Sequence, residues 1–215
     1  MALMKSKDVP KDAVVLNEEE AISYVWDLIS NWDSISDVWA LRYGPTFLGG
    51  LNAFSGILIN SHYRNKLKLG TYGFYSSVIP ITLMPGLMTI LFHRHIILSD
   101  MLLMKKDTCP VCYEVKSAAI QLGFGVAYPM ILGPTSALMF AHRYNTYRVP
   151  NLTDGVTGLF QFLKKITKRF HSTLAFLTVM QLVSSSVVTY FEIRNNVTFR
   201  RKLLEIEKEL EDRES

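Results

Sequence analysis

Four long stretches of the chain lack Asp, Glu, Lys and Arg. They run over residues 43–61, 69–92, 117–141 and 172–191, and the charges gather between them. Each stretch is close to the ~20 residues that a helix needs to cross the hydrocarbon core of a bilayer. One charge at the centre of a span costs roughly 2.5–3.5 kcal/mol on insertion scales, so this absence has a physical cause. The pattern predicts an all-α polytopic membrane protein, a bundle of about four transmembrane helices with amphipathic terminal helices.

The same pattern divides the chain into three parts. Residues 1–42 are an acidic segment with an amphipathic helix, residues 43–191 are a four-span transmembrane domain, and residues 192–215 are a charged C-terminal helix. In the last part, apolar residues at helical spacing share one face. They are Phe199, Leu203, Ile206 and Leu210. This helix is predicted to project beyond the membrane, where it is either solvated or in contact with a partner.

The acidic segment holds a helix that begins after Asn17, with Glu20 at the capping-box position. Its apolar residues are spaced alternately by three and four, which predicts one stripe along the helix. They are Val25, Leu28, Trp32, Ile35 and Trp39. Helices that bind membrane surfaces usually carry Lys and Arg, whereas this one carries carboxylates. We therefore expect it to dock on a partner or to fold back on the protein's own helices, with a plain connecting helix as the alternative.

Small residues and prolines shape the predicted spans. Small residues let helix backbones approach closely in lipid. The first span is rich in glycine, including Gly50 and Gly56, and the third span repeats Gly133, Ala137 and Ala141 at every fourth position. Prolines are tolerated in spans where neighbouring groups satisfy the freed carbonyls, and they predict kinks. The four prolines are Pro80, Pro85, Pro129 and Pro134.

Neutral amides are the strongest polar groups inside the predicted spans. They are Asn52, Asn60, Gln121 and Gln181. Their expected role is hydrogen bonding between helices, worth roughly 0.6–2 kcal/mol each. No carboxylate or histidine lies inside a predicted span, so a proton relay or charged substrate site has no residues to work with. His93, Arg94 and His95 follow the second span directly and are expected to face lipid headgroups.

Cys109 and Cys112 form a C-P-V-C motif between the second and third spans. This spacing suits a local disulfide, a redox pair or half of a zinc site. A structural zinc ion needs four ligands, and His93 and His95 lie in the same predicted loop. A thioredoxin-type redox motif needs a βαβ context, which this chain does not predict. A disulfide in an oxidising compartment and two unpaired thiols both remain open.

Composition and motifs exclude several classes of protein. The net charge is +4, and basic residues form no stripe with interleaved aromatics, so nucleic-acid binding is not expected. Two cysteines are too few for a disulfide-stapled secreted scaffold. The chain has no phosphate loop, metalloprotease helix or nucleophile elbow. We expect no catalytic residues, no cofactor, no metal and no small-molecule substrate, and therefore no enzyme.

The charges of the loops predict an orientation. An even number of spans puts both termini on one side of the membrane. The loops 62–68 and 142–171 carry nine Lys or Arg residues against Asp154 alone, and the positive-inside rule turns both loops inward.

We expect neither a cleavable secretory signal nor an Arg-rich presequence, so mitochondrial import would use internal signals. Two sequons, at Asn151 and Asn196, fit a secretory route instead.

Several motifs in order resemble the transmembrane protein 126 family. They are G-L-N-A-F-S-G-I-L-I-N-S-H-Y-R at Gly50–Arg64, an apolar span with Pro80 and Pro85, the C-x-x-C pair, G-V-A-Y-P-M-I-L-G-P at Gly125–Pro134, His142–Tyr144 with Pro150, Lys164–Lys168 and the span with Gln181. The resemblance covers roughly residues 45 to 205. The C-x-x-C pair is closer to the A-type member than to the B-type member.

This resemblance implies a multi-pass protein of the mitochondrial inner membrane. It implies a non-enzymatic assembly factor for the membrane arm of respiratory complex I, with membrane subunits of that complex, other assembly factors and the lipid bilayer as partners. The residues chosen as helix-packing or partner contacts are Gly50, Asn52, Gly56, Tyr128, Pro129 and Gly133. The rival hypotheses are a small transporter or channel, and a thiol redox protein that uses Cys109 and Cys112.

Overall fold

The computed structural model describes residues 16–103, 109–147 and 156–214. Within these ranges the regular structure is entirely helical. The six helices are α1 (Glu18–Ser30), α2 (Ile35–Lys66), α3 (Phe74–Leu102), α4 (Pro110–Tyr144), α5 (Val156–Thr167) and α6 (His171–Glu214). A 3₁₀ turn over Lys168–Phe170 joins α5 to α6. The predicted all-α class is confirmed, and α5 lies in what the sequence predicts as a basic loop.

Three helical stretches of the described chain are long and apolar enough to cross a membrane. They are Phe74–Leu102, Pro110–Tyr144 and Gln161–Ile206. The structure therefore supports several spans, but not the predicted number of about four. Helix α2, which contains the predicted span 43–61, is not among the three. It has 32 residues and is long enough, but its glycine, serine and asparagine residues lower its hydropathy.

Helix α2 contacts α3, α4 and α6 and lies at the centre of the bundle. Its buried positions are mostly small or polar, and they include Gly44, Gly49, Asn52, Ser55 and Gly56. Small residues bring the neighbouring backbones close, which suits the helix that the other three surround. The low hydropathy of α2 thus follows from its burial against protein.

Helix α6 is polar on its buried face and apolar on its exposed face. Gln181, Ser185, Thr189 and Glu192 are each 0% exposed. On the opposite face, large apolar side chains are 47–65% exposed. They are Phe176, Val179, Val183, Val187 and Tyr190. A soluble helix shows the reverse arrangement, so this distribution indicates that hydrocarbon surrounds the bundle.

Three of the four prolines lie at local changes of helix type. A π-helical turn over Ile79–Leu83 contains Pro80 and is followed closely by Pro85, and another over Gly123–Ala127 is followed in the same way by Pro129. Such turns accommodate an interrupted hydrogen-bond ladder without ending the helix. Pro134 lies within regular α-helix. The predicted irregularities therefore occur as π-helical turns inside continuous helices.

Apolar clusters close the two ends of the bundle. The N-terminal cluster joins α1 to parts of α2, α3, α4 and α6, and consists of Val25, Ile29, Val38, Leu41, Ile97, Leu98, Met101, Leu102, Tyr113 and Phe199. The opposite cluster consists of Ile59, Tyr63, Leu67, Leu69, Ala137, Leu138, Phe140, Ala141, Phe170 and Leu177. Helix α1 and the C-terminal part of α6 therefore lie at the same end.

Helix α1 folds back on the protein's own helices. Ile29 is fully buried in the N-terminal cluster, Trp32 packs edge-on against Phe199, and the Arg94 guanidinium lies 4.1 Å from the Trp26 ring. The prediction of one continuous apolar stripe is wrong, because the chain leaves the helix between Ser30 and Ile35. This break turns Ile35 outward, and it is 55% exposed.

The predicted apolar face of the C-terminal helix is only partly used. Phe199 is buried in the N-terminal cluster, and Leu203 is half-buried. Ile206 is exposed, and the side chain of Leu210 lies outside the described residues. The packed face thus ends within one to two turns of Phe199.

One ion pair ties the start of α2 to α6. Lys202 Nζ donates a hydrogen bond to Asp37 Oδ2. This hydrogen bond holds the pKa of the Asp37 carboxyl below its ordinary value. The ionised carboxylate therefore stabilises the folded state above about pH 4, and this contribution is lost as the pH falls through the lowered pKa.

An Asp37→Asn variant is expected to loosen the contact at neutral pH by at most about 1 kcal/mol, because Lys202 is partly exposed to solvent. Amide hydrogen exchange at the start of α2 measures this, with Asp33→Asn as the control, since Asp33 is exposed. Protection factors, which correct for the pH dependence of intrinsic exchange, should fall in Asp37→Asn at neutral pH, and in the wild-type protein only below about pH 4. Equal exchange in both variants at neutral pH would contradict a stabilising ion pair.

Candidate functional site: buried polar residues between the helices

A network of hydrogen bonds joins four helices at the centre of the bundle. Gln121 Nε2 on α4 donates to Gln181 Oε1 on α6 at 2.6 Å. Asn52 Nδ2 on α2 donates to Thr89 Oγ1 on α3 at 2.5 Å and lies 3.4 Å from Gln121 Oε1. Gln181 Nε2 returns to α2 by donating to Ser55 Oγ at 2.7 Å. We call these five residues the central network.

Three of the four predicted amides belong to the central network. The fourth, Asn60, is buried elsewhere, and its Oδ1 has no hydrogen-bond partner among the described residues. Sequence reasoning missed Ser55 and Thr89. Their signal was weak, since a hydroxyl in a span can equally bond its own helix, as Thr89 does when it donates to Pro85 O.

Gly125 lies directly against the central network. It belongs to the π-helical turn Gly123–Ala127, and a Cβ atom there would collide with Asn52 Oδ1 and with Gln181 Nε2. Asn52 Oδ1 is buried without a hydrogen-bond partner in the part of the chain that the structure describes. The π-helical turn and the missing side chain together let α4 approach the amides of α2 and α6.

His93 and Glu192 form a buried pair between α3 and α6. His93 Nε2 lies 3.0 Å from Glu192 Oε1 and 2.9 Å from Oε2. The side chains are 1% and 0% exposed. The prediction that His93 faces lipid headgroups is therefore wrong. The helical stretches Phe74–Leu102 and Gln161–Ile206 also contain a histidine and a carboxylate, which the shorter predicted spans do not.

The reason for this error is the continuity of both helices. Helix α3 runs through His93 in the π-helical turn His93–Leu98, and α6 continues past residue 191. Arg94 and His95 are exposed, so only His93 of the three faces inward. A charged residue at the end of an apolar stretch can thus still lie inside the bundle.

Helix α2 closes over this pair at Gly44. A Cβ atom on Gly44 would lie 2.6 Å from Glu192 Oε1, so no larger residue fits here without displacement. A lone carboxylate in such a dry interior would cost several kcal/mol, whereas an imidazole within hydrogen-bond distance of both oxygens can share a proton with it. The pair can therefore hold one proton and join α3 to α6.

The residues predicted as packing contacts have different positions. Gly56, Pro129 and Gly133 are buried, and Tyr128 is half-buried. A Cβ atom on Gly56 would collide with the carbonyl oxygen of Ile81 on α3. Gly50 instead lies on the exposed surface, and a Cβ atom there would meet no atom of the described residues within 4 Å. Gly50 therefore makes no packing contact with the described residues, and a partner contact there stays a prediction.

Sequence reasoning did not single out a second close approach of α2 and α3, at Gly49 and Gly86. A Cβ atom on Gly49 would lie 2.7 Å from the carbonyl oxygen of Gly86, and one on Gly86 would lie 2.9 Å from that of Gly49. The two glycines therefore let the two backbones touch. Both glycines can be seen in the sequence as small residues within predicted spans. That they face each other follows only from the register of α2 against α3.

Cys109 and Cys112 are joined by a disulfide at the start of α4. Cys109 is the residue before the helix, Pro110 occupies its first position, and both cysteines are exposed. Among the described residues, no group of three or more His, Cys, Asp or Glu side chains is arranged to hold a metal ion. The zinc site considered from the sequence is thus not assembled there.

The comparisons place these features within one group of proteins. The family model for transmembrane protein 126 matches residues 29–208. The chain is 39% identical to Transmembrane protein 126 of Drosophila melanogaster over 214 residues, covering 99% of this chain and 96% of the relative. It is 26% identical to Transmembrane protein 126A of Mus musculus over 152 residues, covering 70% and 74%. No solved structure shows a significant match.

Proposed function

This chain belongs to the transmembrane protein 126 family, and from that membership we propose that it is a non-enzymatic assembly factor of the mitochondrial inner membrane. Its proposed task is the biogenesis of the membrane arm of respiratory complex I. The ordered resemblance between residues 45 and 205 is confirmed as a family relationship, because the family match covers residues 29–208. The task in complex I assembly and the mitochondrial location rest on what that resemblance implies.

The inverted distribution of polar and apolar residues is the observation that best supports this proposal. Polar side chains bond to one another across the interior, as in the central network. Large apolar side chains remain on the outer faces of α2, α3, α4 and α6. An assembly factor for membrane subunits needs such outer faces, because van der Waals packing drives the association of helices in lipid.

We further propose that α2 is the fourth span, as the count of charge-free stretches predicts. Its exposed apolar residues follow spacings that keep them on one face. They are Tyr43, Phe47, Phe54 and Ile57, each 48–57% exposed. This face suits contact with lipid, while the opposite face carries the small and polar residues that bring down the mean hydropathy. The helix would thus cross the membrane as the core of the bundle.

The proposed orientation puts both termini in the intermembrane space. Helix α1, the C-terminal part of α6 and the disulfide belong to one end of the bundle, because Tyr113 of α4 shares their cluster. The basic segments lie at the other end, which the positive-inside rule directs to the matrix. A disulfide persists where thiols are not kept reduced, and this agrees with the same orientation. Protease protection of terminal tags in mitoplasts tests it.

Purification of the full chain from mitochondria in mild detergent tests the proposed task. We expect membrane subunits of complex I and its assembly factors to co-migrate with the chain. Loss of the chain should lower assembled complex I and leave the other respiratory complexes unchanged. Absence of complex I subunits from the purified material, with normal complex I in cells that lack the chain, would overturn the proposal.

The exposed disulfide favours a thiol redox protein as the second candidate function, and a cysteine variant separates the two. Replacing Cys109 and Cys112 by Ser is expected to leave complex I assembly within about twofold of wild type, because the pair lies outside the bundle interior. The local disulfide closes too short a loop to contribute much through chain entropy. Blue-native electrophoresis of complemented cells measures assembly. Loss equal to that of the deletion would favour redox chemistry at the pair.

A further inference from the structure

We propose that the basic end of the bundle binds the headgroups of anionic phospholipids. The site is α5 together with the 3₁₀ turn that follows it, and we call this segment the basic platform (Val156–Thr167 and Lys168–Phe170). The inference goes beyond the proposed assembly task and does not depend on it.

The basic platform is held firmly against the ends of the spans. Its apolar side chains Phe162, Leu163 and Ile166 pack on the opposite cluster. Tyr63 Oη lies 2.8 Å from Thr167 Oγ1, and the His62 ring stacks on Phe170 with centroids 4.1 Å apart. These contacts with α2 fix which face of the segment is turned outward.

The outward face of the platform is cationic. Lys164, Lys165, Lys168 and Arg169 are all exposed. An amphipathic helix with lysines on its polar face is typical of segments that lie at the interface of an anionic membrane. Lys66, at the end of α2, is also exposed and adds a cation at the same end.

Carboxylates that could neutralise this surface are almost absent from the segments that form this end of the bundle. Residues 38–99 contain no Asp or Glu, and between residues 115 and 191 Asp154 is the sole acid. The charge of the platform is therefore directed toward a partner outside the chain. Cation clusters next to spans attract anionic lipids by about fivefold in affinity for each Lys or Arg near the surface.

A belt of tyrosines marks the same end as the membrane boundary. Tyr72, Tyr75, Tyr144 and Tyr147 are exposed, Tyr72 stacks on Tyr144, and Tyr147 packs on Phe162 of the platform. Tyrosines concentrate at the level of lipid headgroups, where the ring is apolar and the hydroxyl is wet. The cations of the platform thus lie at the depth where lipid phosphates occur, which favours lipid over a soluble partner.

The test compares two triple variants of the full chain in an uncharged detergent. Lys164→Gln, Lys165→Gln and Lys168→Gln together remove three charges from the platform. The matched control, Arg201→Gln, Lys208→Gln and Arg213→Gln, removes three exposed charges from the C-terminal helix. Native mass spectrometry measures the binding of phosphatidylglycerol and of phosphatidylcholine to each.

We expect the wild-type chain and the control to prefer phosphatidylglycerol, and the platform variant to bind it at least about tenfold more weakly. A third variant with Arg at the same three positions keeps the charge and should bind like wild type. Such a result would show that the platform variant binds weakly because it lost charge, and not because it is misfolded. Equal binding of both lipids, or equal losses in platform and control variants, would overturn the proposal. Displacement of the lipid by millimolar inorganic phosphate at constant ionic strength would assign the site to free phosphate instead.

Discussion

His93→Leu is expected to lower the free energy of unfolding by about 3–5 kcal/mol, because it leaves the Glu192 carboxyl buried without a partner. Glu192 is 0% exposed, and His93 Nε2 lies within hydrogen-bond distance of both of its oxygens. Gly44 covers the carboxyl from α2, so the side chain cannot turn to solvent without displacing that helix. Denaturation in mixed micelles, followed by circular dichroism, measures the loss.

The matched control for this prediction is the double variant His93→Leu with Glu192→Leu. Replacing a whole buried pair by apolar residues is often neutral or stabilising, so the double variant should recover most of the loss. The difference between the loss in the double variant and the summed losses of the two single variants then measures the interaction between His93 and Glu192. If the double variant loses as much as the two single variants added together, the residues do not stabilise one another and the prediction is wrong.

The same double variant also tests whether the pair has a task beyond stability. The pair can hold a proton in the interior of the bundle, which an ionisable group inside a membrane protein commonly does for function. Complex I assembly in complemented cells is the measurement. Normal assembly with a stable Leu pair indicates a structural role, whereas lost assembly with normal stability indicates that the protonatable groups are required.

Gly56→Ala and Gly50→Ala are expected to change stability in opposite directions. A Cβ atom on Gly56 would collide with the backbone carbonyl of Ile81, so α2 and α3 must separate, at a typical cost of about 1–3 kcal/mol. A Cβ atom on Gly50 meets nothing within 4 Å, and alanine is a better helix former than glycine by about 1 kcal/mol. The same substitution, six residues away on one helix, should therefore stabilise.

Unfolding of both variants under the same detergent conditions checks this pair of outcomes. Each variant is the control for the other, since both add one methyl group to α2. Destabilisation by Gly50→Ala would show that residue 50 contacts something beyond the described residues, such as a second copy. Stabilisation by both variants would contradict the close approach of α2 and α3 at Gly56.

The sequence by itself determined which solvent the bundle meets and that its apolar stretches are helical. Charges are excluded from hydrocarbon whatever the fold, so the charge-free stretches predict helical spans without knowledge of neighbours. The amides at residues 52, 121 and 181 were recognisable for the same reason, because a polar group in lipid must find a partner. The helix start at Asn17 was likewise predicted, and the capping box with Glu20 is present.

The tertiary structure alone decided which face of each helix is turned inward. Gly50 and Gly56 are both predicted from the sequence as packing positions, yet Gly50 is exposed and Gly56 lies against α3. His93 ends an apolar stretch in the sequence, but a π-helical turn and the length of α6 bring it against Glu192. The break after Ser30 similarly divides what the spacing predicts as one stripe. The hydropathy of a segment can be calculated from the sequence alone. The rotation and register of a helix, in contrast, depend on contacts between residues far apart in sequence.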